Sequence, residues 1–206
     1  MDNRHSGGQC SGPGDGKELG ANNISGDCHT NDRDTDVKDL GEIFDTHVEA
    51  EFVDIDVDKT MATMTEEPYV HNVPTLIGGV GAAGVRDFYT NHFVGHVPPD
   101  TTTEQISRTV GENQVVEELI FSFTHTTPVD FMLPGVAPTG RRISVPLVVV
   151  MGFEGDKVSH EHIYWDQACV LVQAGLINPD DLPVAGAGEA AALVDQGVPK
   201  NQLLAR

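Results

Sequence analysis

Hydrophobic positions in this chain follow no period at first, then a helical one, then a period of two. Residues 1–35 hold seven Gly and six acids and almost no large apolar side chain. Such a stretch cannot bury enough surface to offset the entropy of ordering it, so a disordered leader is expected there. Past Asp36, Leu40, Ile43, Phe44, His47, Val48 and Phe52 recur at helical spacing, which predicts an amphipathic helix over about 37–53. Asp39, Glu42, Asp45 and Glu49 fall on its other face and read as solvated. A second, short helix is expected over Val57–Met64. Prolines and β-branched residues then favour an extended segment at Tyr69–Leu76. Gly78, Gly79, Gly81 and Gly84 interrupt the chain before Val85, Phe88, Tyr89, His92, Phe93 and His96 restore a 3.6-residue period. No Lys-Ser/Thr pair follows these glycines, so they read as a turn before a third helix rather than a phosphate loop.

Beyond Pro99 the period becomes two. Glu104–Val110 and Val115–Thr127 flank Gly111-Glu112-Asn113, and Arg141–Phe153 and Val158–Trp165 flank Glu154-Gly155-Asp156-Lys157, which predicts two hairpins of long antiparallel strands. Residues 167–175 read as a closing helical turn. Helices first and strands afterwards signal an α+β fold, with helices packed on one face of a curved sheet. The expected organisation is a leader at 1–35, one domain at 36–177 and a C-terminal tail at 178–206.

Composition narrows the partners. The net charge is −20, with 32 acids against 12 bases, and residues 1–67 carry 17 acids and 5 bases. Such a field repels nucleic-acid backbones and anionic lipid. Cys10, Cys28 and Cys169 form neither a disulfide framework nor a paired CxxC motif, which suits a reducing compartment. The N-terminus has no apolar signal segment, and Ile143 to Phe153 is too short to span a bilayer. A soluble, cytoplasmic protein is expected.

Functional groups crowd the last strand, His160-Glu161-His162-Ile163-Tyr164-Trp165-Asp166. Alternation puts His160, His162, Tyr164 and Asp166 on one face and Glu161, Ile163 and Trp165 on the other. A carboxylate beside an imidazole and a phenol suits proton transfer; a solvated polar strand face is the plain alternative. His160, His162 and Asp166 also have the ligand types of an iron or zinc site, similar to half of a cupin metal motif, but no His follows His162 to complete one. His71 lies early in the fold, where it could meet the last strand across a cavity or serve only as a structural residue. His125 follows Phe121 and Phe123 on one strand face, at a pocket rim or in the core. No GxSxG elbow occurs, and covalent nucleophilic catalysis is disfavoured.

Three blocks resemble the SnoaL-like polyketide cyclases of the nuclear-transport-factor-2-like superfamily. They are Tyr69-Val70-His71-Asn72-Val73-Pro74 with Gly78-Gly79 and the helix through Phe88-Tyr89; Phe123-Thr124-His125 with Pro138-Thr139-Gly140-Arg141; and Gly155 through Glu161 and Tyr164-Trp165-Asp166-Gln167 to Leu176. The resemblance implies a cone-shaped α+β barrel, three N-terminal helices in a curved, mostly antiparallel sheet, with an apolar pocket and neither metal nor organic cofactor. It also implies an acid/base carboxylate near the end of the sheet. Asp166 and Glu161 compete for that role, because the family's Glu-His-Trp-Asp run is two residues longer here.

The expectation is therefore an enzyme that cyclises, isomerises, dehydrates or hydrolyses a hydrophobic oxygenated small molecule and assembles as a homodimer or higher homo-oligomer. Asp166, Glu161, His71 and His162 are the catalytic candidates, and His125, Tyr164, Trp165, Phe121, Phe123 and Tyr89 the substrate-binding ones. A non-catalytic ligand-binding or dimerisation module of the same fold is the alternative.

Overall fold

The computed structural model describes residues 39–180 and 182–205. The leader expected at 1–35, with Cys10, Cys28, His5 and His29, lies outside the described residues. Helix α1 (Leu40–Phe52) starts where the Asp39 carboxylate accepts the Gly41 N–H at 2.8 Å. It buries Ile43, Phe44, His47, Ala50 and Glu51. Helix α2 (Val57–Ala62) is capped in the same way by Asp56.

Strands β1 (Met64–Asn72) and β2 (Ile77–Val80) follow. The segment expected to be merely extended and then a glycine turn is thus a hairpin, and β1 and β2, both ahead of the third helix, are the fold's departure from a simple helices-then-strands order. The single third helix expected through His96 is also divided. Helix α3 (Gly81–Phe88) gives way to a π-helical turn at Tyr89–Phe93, where the Val94 N–H reaches back five residues to the Tyr89 carbonyl at 2.9 Å. One extra residue in that turn breaks the 3.6-residue register, as π-bulges at functional sites do.

Strands β3 (Thr102–Val110), β4 (Gln114–Thr124), β5 (Arg142–Glu154) and β6 (Lys157–Tyr164) complete a six-stranded curved sheet of order β2-β1-β6-β5-β4-β3. β1 lies parallel to β6, pairing Val70 with Glu161 and Asn72 with Ile163; the other pairs are antiparallel. Helix α4 (Gln167–Gln173) packs on β5, with the Gln173 side chain bonded to both the N–H and the carbonyl of Ser144. Helix α5 (Gly188–Val194) lies in the C-terminal tail and also contacts β5.

The junction of β2 and α3 shows why a glycine stands at 79. A Cβ there would lie 2.4 Å from the Gly84 carbonyl group and 2.5 Å from the Val85 nitrogen, all backbone that cannot swing aside. Gly79→Ala is expected to destabilise the domain by at least about 1–3 kcal/mol, whereas Gly188→Ala, with nothing nearby, is expected to be neutral. Denaturant midpoints of the two variants check this, and equal midpoints would refute it.

Candidate active site

The inward faces of β1, β4, β5 and β6 and the buried face of α1 enclose a cavity of about 90 Å³. Most of its wall is apolar, and Glu161, Glu51 and Tyr89 stand together on it. Glu161 arrives there by strand parity: with Ile163 it points inward from β6, in register with Val70 and Met151 on the neighbouring strands. Tyr89 is fully buried at the first position of the π-helical turn. His47 and Glu51 sit one turn apart on α1, which sets both toward the same point.

The polar atoms of these four side chains converge. The Tyr89 hydroxyl donates to Glu161 Oε1 at 2.7 Å. His47 Nε2 lies 2.8 Å from the same oxygen, 3.3 Å from Glu51 Oε1 and 3.3 Å from the Tyr89 oxygen. The Thr63 hydroxyl is directed to the Thr60 carbonyl at 2.7 Å, so its oxygen is free to accept from His47 Nδ1 at 2.5 Å. That contact fixes the ring, with Nε2 aimed at the carboxylates.

Burial and charge set the protonation states. Burial alone would depress His47, but the carboxylates of Glu161 and Glu51 outweigh it and raise the imidazole to about 10. Burial pushes both carboxyls up. At Glu161 the His47 charge and the hydrogen bonds of His47 and Tyr89 prevail and hold it below the usual range; at Glu51 burial prevails and the group stays raised. Burial, then the two carboxylates, keep Tyr89 protonated. The site therefore presents a Glu161 held toward its ionised form by an imidazolium and a phenol, beside a Glu51 that burial pushes toward its protonated form.

The structure distributes the other sequence candidates widely. Phe121 lines the cavity. Phe123 and Trp165 are buried behind it, the indole N–H donating to Gln167 Oε1 at 2.6 Å. His125 is buried under the 126–140 loop. Its Nδ1 accepts the Thr139 N–H at 3.3 Å, so the proton sits on Nε2, which has no partner, and burial lowers its pKa. His71 and His162 stand on the opposite face of the sheet from Glu161, ring to ring at 6.3 Å, with His160 4.8 Å beyond His162. Tyr164 is exposed, and so is Asp166, whose carboxylate caps α4 by accepting the Cys169 N–H at 3.0 Å. His160, His162 and Asp166 are not brought together as metal ligands.

Two other groups of side chains among the described residues have metal-ligand types within 4.8 Å of one another: His47, Glu51 and Glu161, and Asp166, Cys169 and Glu189. In the second, burial raises the thiol to about 12, which opposes the thiolate a metal needs. His47 and Glu51 are the members of the buried cluster that periodicity alone does not single out. Their signal was an ionisable pair at i, i+4 on the apolar face of α1, where a carboxylate has no reason to lie unless it is partnered.

Helices laid on a curved sheet around an apolar cavity make an NTF2-like, ketosteroid-isomerase-like fold. A family model of the SnoaL-like polyketide cyclases matches residues 43–174, and the chain belongs to that family. No curated protein sequence matches it. Among solved structures it is similar to TsrD from Streptomyces laurentii, at 19% identity over 68% of this chain and 96% of that one, with a TM-score of 0.54. It is likewise similar to a candidate SnoaL-like polyketide cyclase from Jannaschia sp. CCS1 (16%, 67% and 94%, TM-score 0.51) and to a protein of ketosteroid-isomerase-like fold from Catenulispora acidiphila crystallised with trimethylamine (13%, 66% and 94%, TM-score 0.50). At these identities the likeness concerns the fold. No described helix is long and apolar enough to cross a membrane.

Proposed function

We propose that this chain is an acid/base enzyme that moves a proton on a small hydrophobic molecule, with Glu161 as the catalytic base. The observation that carries the reading is the buried Glu161 carboxylate at the cavity wall, held by the Tyr89 hydroxyl at 2.7 Å and His47 Nε2 at 2.8 Å. The reaction class is proton abstraction next to a carbonyl. The C–H proton passes to Glu161, the bonding pair moves into the C–C bond of an enolate, and the Tyr89 hydroxyl turns to donate to the enolate oxygen. Return of the proton to another atom gives isomerisation; attack by the enolate carbon on a second carbonyl gives ring closure. His47 is a positioning residue here, since it acts through Glu161 and Glu51. The family match supports this class of chemistry, and the trimethylamine bound by the Catenulispora protein supports a small-molecule site in the fold.

A small ketone such as acetone suits the cavity as a probe. The protein is expected to accelerate deuterium uptake from solvent next to its carbonyl, read by NMR, and a chelator is expected to change nothing. Exchange no faster than buffer would sink the acid/base reading. Loss of exchange on chelation would instead favour a divalent cation held by His47, Glu51 and Glu161, whose donor types suit one.

A further inference from the structure

Three carboxylates line the cavity, Glu51, Glu117 and Glu161, and no basic side chain among the described residues does. Two cationic groups stand behind them. Arg108 is held by Glu117 at 2.5 Å and shared with Asp45 at 2.7 Å, while His47 lies between Glu161 and Glu51. Two cations against three carboxyl groups leave Glu51 as the one with no charge partner of its own, which together with its burial favours its protonated form. Its Oε1 is buried and has no hydrogen-bond partner, although the His47 ring is 3.3 Å away. A buried oxygen in that condition is costly, and an organic cation beside it would supply the charge partner that the carboxyl lacks.

The rest of the wall favours the same kind of ligand. Phe93 is linked ring to ring to Phe52 and Phe88 at 5.6 Å and to Phe131 at 5.2 Å, and Phe131 to Phe121 at 6.2 Å. With Tyr89 these rings make an aromatic portion of the wall, beside the aliphatic side chains of the sheet. Aromatic rings attract desolvated organic cations through their quadrupoles. A metal ion would use the carboxylates but leave this lining without a role.

We propose that the cavity selects a small hydrophobic ligand carrying a cationic nitrogen, a tertiary or quaternary amine, and rejects carboxylates. The nitrogen sits beside Glu51 against the aromatic wall. The inference rests on the cavity being the substrate site and adds the charge class of the substrate; an amino ketone is the simplest molecule that meets both requirements. At about 90 Å³ the space is smaller than the roughly 150 Å³ that accepts benzene, which suits a head group of about five non-hydrogen atoms.

Three molecules test this: tetramethylammonium and tert-butanol, with five non-hydrogen atoms each, and pivalate, which carries a carboxylate on the same tert-butyl group. Binding is measured by calorimetry in about 0.15 M salt, which screens the field of the chain's −20 charge. Tetramethylammonium is expected to bind at least about tenfold more tightly than tert-butanol, and pivalate not to bind. Glu51→Gln is expected to erase the preference. Glu118→Gln, which removes the same charge on the opposite face of β4, is expected to keep it. Phe93→Leu should weaken tetramethylammonium roughly 2- to 30-fold; if Glu51→Gln fails to fold, this variant and the isostere series decide. Equal binding of tert-butanol or pivalate, no binding of any of the three, or equal effects of Glu51→Gln and Glu118→Gln would overturn the proposal. If the preference fails while ketone exchange persists, only the charge class falls. If exchange fails while the preference holds, the acid/base reading falls instead.

Discussion

Glu161→Gln is expected to slow ketone exchange by about 10²- to 10⁴-fold, while Asp166→Asn leaves the rate unchanged. Gln keeps the shape of the side chain and can still accept from Tyr89, so the cavity is retained and only the proton acceptor is lost. Asp166 has a different task. Its carboxylate satisfies a backbone N–H at the start of α4 from an exposed position, and it does not line the cavity. Asn is also a good helix cap, so even stability should change little; Asp166→Ala should cost about 0.5–2 kcal/mol with the exchange rate intact. Exchange rates and denaturant midpoints on the same preparations separate the two residues. Full exchange in Glu161→Gln, or its loss in Asp166→Asn, would reverse the assignment. Tyr89→Phe gives a second view, since it removes the hydroxyl that stabilises both Glu161 and an enolate and should lower the rate without emptying the cavity.

The sequence made the frame legible for a physical reason. Period-two runs such as Leu119, Phe121 and Phe123 mark the core-facing side of a strand, and β4 buries all three as the pattern predicts, although Ile120 and Ser122 on its other side are buried too. Alternation also named the two possible faces of β6. What it could not supply was the choice between them, because His160, His162 and Tyr164 look as chemically capable as Glu161. The choice is made by β1 and β5 on either side: Val70 and Met151 are buried in register with Glu161, while Gly152 leaves room for the His160 ring on the other face. Asp166 looked catalytic because it ends the strand, yet the chain turns there and uses it as a cap. His47 and Glu51 were hidden for the opposite reason. A helix reports its apolar stripe through the majority of its residues, and two ionisable side chains within that stripe show their purpose only when Glu161, more than a hundred residues away, meets them.

That meeting predicts an unusual alkaline sensitivity. His47 binds its proton more tightly in the folded chain, with a pKa raised from 6.5 to about 10, so its contribution to stability is fully present below pH 6.5 and is lost as pH rises through about 10. The loss amounts to roughly 1.4 kcal/mol per pH unit inside that window. Glu51 acts in the same direction, because its folded pKa is raised and its share is lost as pH climbs past the ordinary carboxyl value. Glu161 is lowered, so its share is present above the ordinary carboxyl value and lost only on acidification. Urea midpoints between about pH 6.5 and 8.5 read the combined loss from His47 and Glu51, since Tyr89 and the Cys169 thiol are raised and titrate higher. His47→Gln is expected to be less stable by about 3–5 kcal/mol at the acid end of this range, as removing one partner of a buried charged pair generally is. It is also expected to have a markedly flatter alkaline slope. A variant whose midpoint falls with pH as steeply as that of the parent would mean that His47 is not the proton store that holds Glu161 ionised, and the bracing of the proposed base would then have to come from Tyr89 alone.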